Sequence, residues 1–106
     1  MKVIYNNIIP FKGYLAINLF GILFARKEYK PLDKYTINHE AIHTAQMKEL
    51  VYIGFYIIYL LEWFMRIIQY ENFHKAYRNI SFEKEAYNNE KRLDYIYTRK
   101  HYNQWK

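Results

Sequence analysis

The chain has 106 residues, 52% of them hydrophobic, which suits one domain, residues 1–106, with a core of its own. Cysteine is absent, which excludes disulfides and thiolate metal ligands and is compatible with a reducing compartment. The net charge of +6 permits anionic partners such as lipid head groups. No compact basic run, zinc-finger spacing or RNA-binding signature accompanies the charge, which argues against a nucleic-acid partner.

The first quarter of the chain favours β-structure. Residues 1–13 are apolar, but two asparagines interrupt them and no cleavage site follows closely, so they do not resemble a signal peptide. Residues 14–26 are rich in strand formers and predict one or two short strands or a hairpin, with a helix as the competing prediction. Asn18 and Gly21 are candidate positions for a bulge or a bend.

A charged loop leads into the first predicted helix. Residues 27–34 are charged and contain a proline, which indicates a loop. Thr36 or Asn38 can then cap a helix that good helix formers carry from Ile37 through Leu50. Residues four, seven and eleven positions after His39 share its face of the helix, and they are His43, Gln46 and Leu50.

Residues 51–69 form an apolar segment whose length is near that of a membrane span. Glu62 and Arg66 lie well inside it, one turn apart, and ionisable groups at membrane depth are costly. We therefore predict a buried helix with a Glu62–Arg66 ion pair, separated from the histidine helix near Gly54. The alternatives are a segment that inserts in or lies on a membrane, and a charge network behind a metal site.

The last third of the chain predicts a connection and one further helix. Residues 70–80 are polar with scattered aromatics, which fits a turn or a short helix. Ser81 has the chemistry of an N-cap, and Glu83 falls in the first turn, where negative charge suits the helix dipole. A charged helix is expected from Phe82 to about Arg99, followed by a basic, aromatic tail that is expected to be frayed.

The pentapeptide from His39 to His43 carries the strongest chemical signal in the chain. It reads H-E-x-x-H, and two histidines four residues apart lie on one face of a helix, one turn apart. Such a pair can bind one Zn²⁺, and the intervening Glu40 can take a proton from a metal-bound water. The alternative is a solvated helix in which these residues have no joint function.

A zinc site with two histidines needs a third protein ligand and an open position for water. One group of H-E-x-x-H enzymes uses a third histidine six residues past the second. Position 49 is a glutamate and position 46 a glutamine, so that pattern is absent here. The other common ligand is a glutamate from a later helix, and residues 81–87 are the best candidate stretch.

Together with the histidine motif, the segment from Glu83 to Tyr87 resembles the gluzincin metallopeptidases. In that family a later helix carries E-x-x-A-D or E-x-x-x-D, and its first glutamate binds zinc, which implies Glu83 as the third ligand. Tyr87 stands where the family has an aspartate that supports a histidine ligand. A backbone carbonyl, Asn88 or Glu90 would have to take that role here.

The resemblance covers about residues 36–90. Residues 79–87 and the histidine motif also look like those of a group of short bacterial H-E-x-x-H proteins, and Gln46 extends the likeness to small gluzincin-like domains, in which H-E-x-x-H-x-x-Q recurs.

Several other residues are open as ligands or as supporting groups. Glu85 is the fallback ligand, but Glu83 and Glu85 point about 200° apart on a helix, so both cannot face one metal. His74 could replace Glu83 or donate to an oxyanion, although a lone histidine in a polar connection is usually a surface residue. Arg78 and Tyr87 are candidate donors to the transition state, since each can hydrogen-bond an oxyanion.

These observations predict an α+β fold, minimal and zincin-like, with short N-terminal β-strands or a hairpin followed by about three helices. The resemblance implies a zinc metallopeptidase in which His39, His43 and Glu83 hold Zn²⁺ and Glu40 is the general base for a zinc-activated water. A peptide or protein substrate would add to a strand from residues 14–25 beside the cleft.

Two alternatives to the peptidase remain. One is a non-catalytic zinc-binding module, and the other is a small membrane-associated protein built on residues 50–69, with a membrane surface as its partner. We expect a cytoplasmic location, with membrane association as the alternative.

Overall fold

The computed structural model describes all 106 residues as a three-stranded sheet followed by five α-helices. The predicted α+β class, with N-terminal strands followed by about three substantial helices, is confirmed, since three of the helices are longer than six residues. The elements are β1 (Val3–Asn6), β2 (Ala16–Leu19), β3 (Ile22–Arg26), α1 (Lys34–Glu49), α2 (Ile53–Tyr70), α3 (Phe73–Arg78), α4 (Ser81–Asn89) and α5 (Tyr95–Thr98).

The sheet has the strand order β1-β3-β2, with β1 parallel and β2 antiparallel to β3. The β2–β3 hairpin turns through Phe20 and Gly21, whose φ angles of 53° and 89° are both positive, as two-residue hairpin turns favour. A Cβ on Gly21 would stand 3.3 Å from Cγ2 of Thr44, so glycine lets the hairpin tip rest on α1. Gly21 is thus the predicted bend, whereas Asn18 continues the regular register opposite Leu23.

α1 begins at Lys34, three residues earlier than predicted, because the Asp33 carboxylate accepts the backbone N–H of Tyr35 and caps the helix. The predicted caps, Thr36 and Asn38, are therefore wrong. The buried Asn38 instead donates through its side-chain nitrogen to three backbone carbonyls at and just after the end of α4, at residues 89, 90 and 92.

The helix predicted from Phe82 to Arg99 is broken into α4 and α5. α4 ends at Asn89, and the chain forms turns that carry the carbonyls bound by Asn38 before α5 begins at Tyr95. Asn38 thereby ties the end of α4 to the first half of α1.

The burial predicted for residues 51–69 is wrong, although the helix is present. Phe55 is the one buried residue of α2, and the apolar side chains of its opposite face are exposed. The Glu62–Arg66 pair exists at 3.4 Å, but Glu62 faces the protein, where it accepts both the N–H and the hydroxyl of Ser81. Glu62, rather than Ser81, therefore caps α4.

The α1–α2 junction is a sharp corner. Val51 and Tyr52 have positive φ angles of 55° and 60°, so the chain turns there and not at the predicted Gly54, which lies in the first turn of α2. No single helix is long and apolar enough to cross a membrane. Only α1 and α2 taken together reach that length and composition, and the chain bends by 110° between them.

Three small apolar clusters hold the elements together. The first joins α1, α2 and α4 through Met47, Phe55, Ile80 and Phe82. The second packs the sheet on the start of α1 through Leu23, Ala25 and Leu32. The third joins α1, α4 and α5 through Ile42, Ala86 and Tyr95. α1 thus has a packed contact with every layer of the fold.

The C-terminal segment is packed, not frayed as predicted. The Arg99 guanidinium is buried and donates to Glu85 at 2.6 Å and to Glu49 at 3.0 Å. Beyond it, the Trp105 ring packs on Phe82, with ring centroids 5.9 Å apart. The buried cation therefore anchors the last residues of the chain to α1 and α4.

Replacing Arg99 should destabilise the fold strongly. Arg99→Met leaves the carboxylates of Glu85 and Glu49 without their cation, and we expect a loss of about 3 kcal/mol in the free energy of unfolding. Lys100→Met, which removes the same charge from an exposed neighbour, should change it little. Urea denaturation measures both, and equal effects would contradict an anchoring role for Arg99.

Candidate metal centre

α1 and α4 bring three potential metal ligands together in the interior. The Nε2 atoms of His39 and His43 are 3.1 Å apart, and they lie 3.2 and 3.1 Å from Oε1 of Glu83. All three side chains are buried. The H-E-x-x-H spacing places the histidines one turn apart on α1, and the first turn of α4 supplies the carboxylate, so the three residues could hold one metal ion.

The dimensions of this triangle fit a transition-metal ion. Tetrahedral nitrogen and oxygen ligands about 2.0–2.2 Å from Zn²⁺ stand about 3.3 Å from each other. The three observed edges, 3.1 to 3.2 Å, are close to this value. Two imidazoles and one carboxylate also form the donor set of a site that keeps a fourth position open.

Outer hydrogen bonds orient both imidazoles. Nδ1 of His39 donates to the Glu90 carboxylate at 2.9 Å, and Nδ1 of His43 donates to the Gln46 amide oxygen at 2.8 Å. Because Nδ1 carries the proton in each ring, Nε2 can offer its lone pair to a metal. Glu90, one of the three supports left open by the sequence, is thus the group that orients His39.

Tyr59 of α2 fixes the third ligand. Its hydroxyl donates to Oε2 of Glu83 at 2.7 Å, which leaves Oε1 directed at the histidines. Phe55, one turn earlier, packs edge-on against the His43 ring with centroids 6.0 Å apart. No motif marks Tyr59 in the sequence, and its only signal is its place on the inward face of α2.

Glu83 and His43 form a buried ion pair. Burial disfavours the charged form of Glu83, but His43 and the hydrogen bonds from both histidines outweigh it and hold the pKa of Glu83 well below its ordinary value. Burial likewise lowers the pKa of His43, but the Glu83 charge and hydrogen bond prevail and raise that pKa to about 9. His43 is therefore protonated at pH 7 when no metal is bound.

Glu40 stands at the wall of the cleft that reaches this centre. It lines a cavity of about 310 Å³ together with His43, Glu83 and residues 16–18 of β2. A second cavity of similar volume, on its other side, is bordered by His39. Burial raises the pKa of Glu40 above its ordinary value, so its carboxylate accepts a proton more readily than a solvated glutamate does.

Glu85 lies away from the three ligands. It accepts hydrogen bonds from Arg99, from the Tyr95 hydroxyl and from the Gln46 amide nitrogen. Glu83 and Glu85 point in opposite directions, as predicted from their separation by two residues on a helix. Glu85 therefore reaches the centre only indirectly, through Gln46 and its hydrogen bond to His43.

The remaining candidates lie on the α3 side of the site. His74 is exposed on α3 and takes no part in the cluster. The Arg78 guanidinium stacks 3.8 Å from the centroid of the Tyr87 ring, and that ring packs against His39 with centroids 4.6 Å apart. The Tyr87 hydroxyl bonds that of Tyr77, which borders both cavities and has no sequence motif to mark it.

Comparison of the chain with models of protein families, with curated proteins and with solved structures found no match. The case for a metal centre therefore rests on the triangle of His39, His43 and Glu83 and on the groups that orient it.

Removing one ligand should abolish metal uptake. We expect the purified protein to bind about one divalent ion per chain, and His39→Ala to lose it because two ligands cannot retain the ion in competition with a chelator. His74→Ala is the matched control, and it should bind as the unmodified chain does. Metal analysis after dialysis measures all three proteins, and loss of the metal in both variants would contradict the assignment.

Metal uptake should release a proton at neutral pH. The pKa of His43 near 9 lies above its ordinary value of 6.5, so the metal-free site holds an extra proton at pH 7 that the ion must displace. This release should shrink as pH rises through 9. Titration calorimetry in buffers of different ionisation enthalpy gives the proton count; we expect about one at pH 7, and zero would show that His43 is already neutral.

Proposed function

We propose that this chain is a zinc metallopeptidase that cleaves peptide bonds in the cleft beside β2. The observation that carries the proposal is the position of Glu40, which borders both cavities beside the triangle of His39, His43 and Glu83. A site built only to hold a metal has no need of a carboxylate in its open cleft.

Zinc fits the donor set of two imidazoles and one carboxylate, which His39, His43 and Glu83 would provide. When bound, the ion would supply Lewis acidity, which would lower the pKa of a nearby water to about 7. Glu40 accepts the proton of the attacking water and passes it to the departing amine. The raised pKa of Glu40 suits both halves of this transfer, since a group that accepts and then donates a proton works best with a pKa near the operating pH.

The substrate class follows from the edge of β2 that precedes Asn18, because the Asn18 carbonyl already accepts the Tyr56 hydroxyl at 2.9 Å. β2 is an outer strand of the sheet, and its residues 16–18 line the cleft that contains Glu40 and Glu83. An extended peptide can pair with such an edge through main-chain hydrogen bonds, which places a scissile amide near the metal centre. A peptide or protein substrate is therefore the class that the cleft accommodates best.

Tyr77 is the donor best placed to stabilise the developing oxyanion. It borders both cavities, and burial raises its pKa, so its hydroxyl stays protonated and able to donate. Arg78 and Tyr87 contribute indirectly, since Arg78 stacks on Tyr87 and Tyr87 holds the Tyr77 hydroxyl at 3.0 Å.

Glu40→Gln separates catalysis from metal binding. We expect the zinc-loaded variant to keep its metal and to lose activity on a quenched fluorescent peptide library by about 10²- to 10⁴-fold, the usual contribution of a general base. Glu71→Gln, at an exposed position after α2, is the matched control and should retain full activity. Activity that survives in Glu40→Gln would refute the mechanism. A zinc-loaded but inactive unmodified chain would favour a non-catalytic zinc-binding module.

A further inference from the structure

α2 turns its charged pair toward the rest of the protein and an apolar face outward. Its charged pair, Glu62 and Arg66, lies on the side that packs against the fold, where Glu62 caps α4. Its outward side carries no charged residue, and seven large apolar side chains there are between 54% and 65% exposed: Ile53, Ile57, Leu60, Leu61, Phe64, Met65 and Ile68. A helix at a water-facing surface has the opposite arrangement.

This outward face is broad. At 100° per residue the seven positions cover an arc of about 140°, wider than the narrow seam by which two helices meet in a coiled coil. The helix has 18 residues and is about 27 Å long, and the apolar strip extends from Ile53 to Ile68, more than four turns. A strip of this breadth suits an extended apolar medium, because one partner helix would cover only part of it.

The positive charge of the chain favours an anionic lipid surface as the apolar medium that covers this face. The net charge is +6, and the exposed Lys48, shortly before α2, borders a cavity together with Phe20 and Tyr52. A basic protein is attracted to anionic lipid head groups, whereas two copies that each carry +6 repel one another. Near the start of α2, the half-exposed Phe20 packs on Tyr56 and extends the apolar surface to the hairpin tip.

We propose that the outward face of α2 lies in the interfacial layer of an anionic lipid bilayer and holds the protein on the membrane surface. The apolar side chains enter the boundary between head groups and acyl chains, and the helix stays parallel to the surface. This docking needs neither a bound metal nor catalysis, so it stands or falls separately from the peptidase function.

Vesicle flotation tests the proposal with the full chain. The probe is vesicles of phosphatidylglycerol and phosphatidylcholine in equal parts, compared with pure phosphatidylcholine. The test variant is Leu60→Gln with Phe64→Gln, and the matched control is Leu93→Gln with Tyr97→Gln, which removes a leucine and an aromatic residue from exposed positions outside α2. Thermal unfolding and metal uptake, which should be unchanged, confirm that each variant folds.

We expect the unmodified chain to float with the anionic vesicles and to bind them at least tenfold more tightly than the neutral ones. The α2 variant should bind at least tenfold more weakly than the unmodified chain, and the control should bind like it. Failure of the unmodified chain to float, or equal binding by the α2 variant, would overturn the proposal. It would be overturned as well if light scattering showed a dimer that the α2 variant abolishes, since a second copy would then cover the face.

Discussion

The contact of Glu83 with His39 and His43 is the interaction on which the rest of the structure depends. It places a carboxylate and two imidazoles within 3.2 Å in a buried space, which is costly unless each group is paired. In the metal-free protein a proton on His43 satisfies this requirement, and a divalent cation satisfies it more completely. The same three side chains therefore link α1 to α4 and define the chemistry of the cleft.

The surrounding polar groups form two arms that hold this contact in place. One arm runs from His39 to Glu90, beside which the Asn38 amide closes the end of α4. The other runs from His43 through Gln46 to Glu85 and on to Arg99 in the C-terminal segment. Because each arm ends on a different part of the chain, the imidazoles keep their orientation only while α4, the following turn and the C-terminal segment are packed on α1.

The sequence predicted most of the fold class and the residues that meet at the centre, because those follow from local rules. Helical periodicity puts His39 and His43 on one face, and it separates Glu83 from Glu85. Long-range partners could not be read in the same way: Tyr59, Tyr77 and Arg99 act through contacts with residues 10 to 50 positions away. The burial predicted for α2 is wrong because composition shows only how apolar a helix is. Which face turns inward depends on the contact of Glu62 with Ser81, which the sequence does not reveal.

The central claim is that His39, His43 and Glu83 bind one zinc ion. Anomalous X-ray scattering from crystals of the zinc-loaded protein, measured on both sides of the zinc absorption edge, tests it most directly. We expect a single peak about 2.0–2.2 Å from Nε2 of His39, Nε2 of His43 and Oε1 of Glu83. A peak bound elsewhere, or no peak at this position in fully zinc-loaded crystals, would contradict the claim.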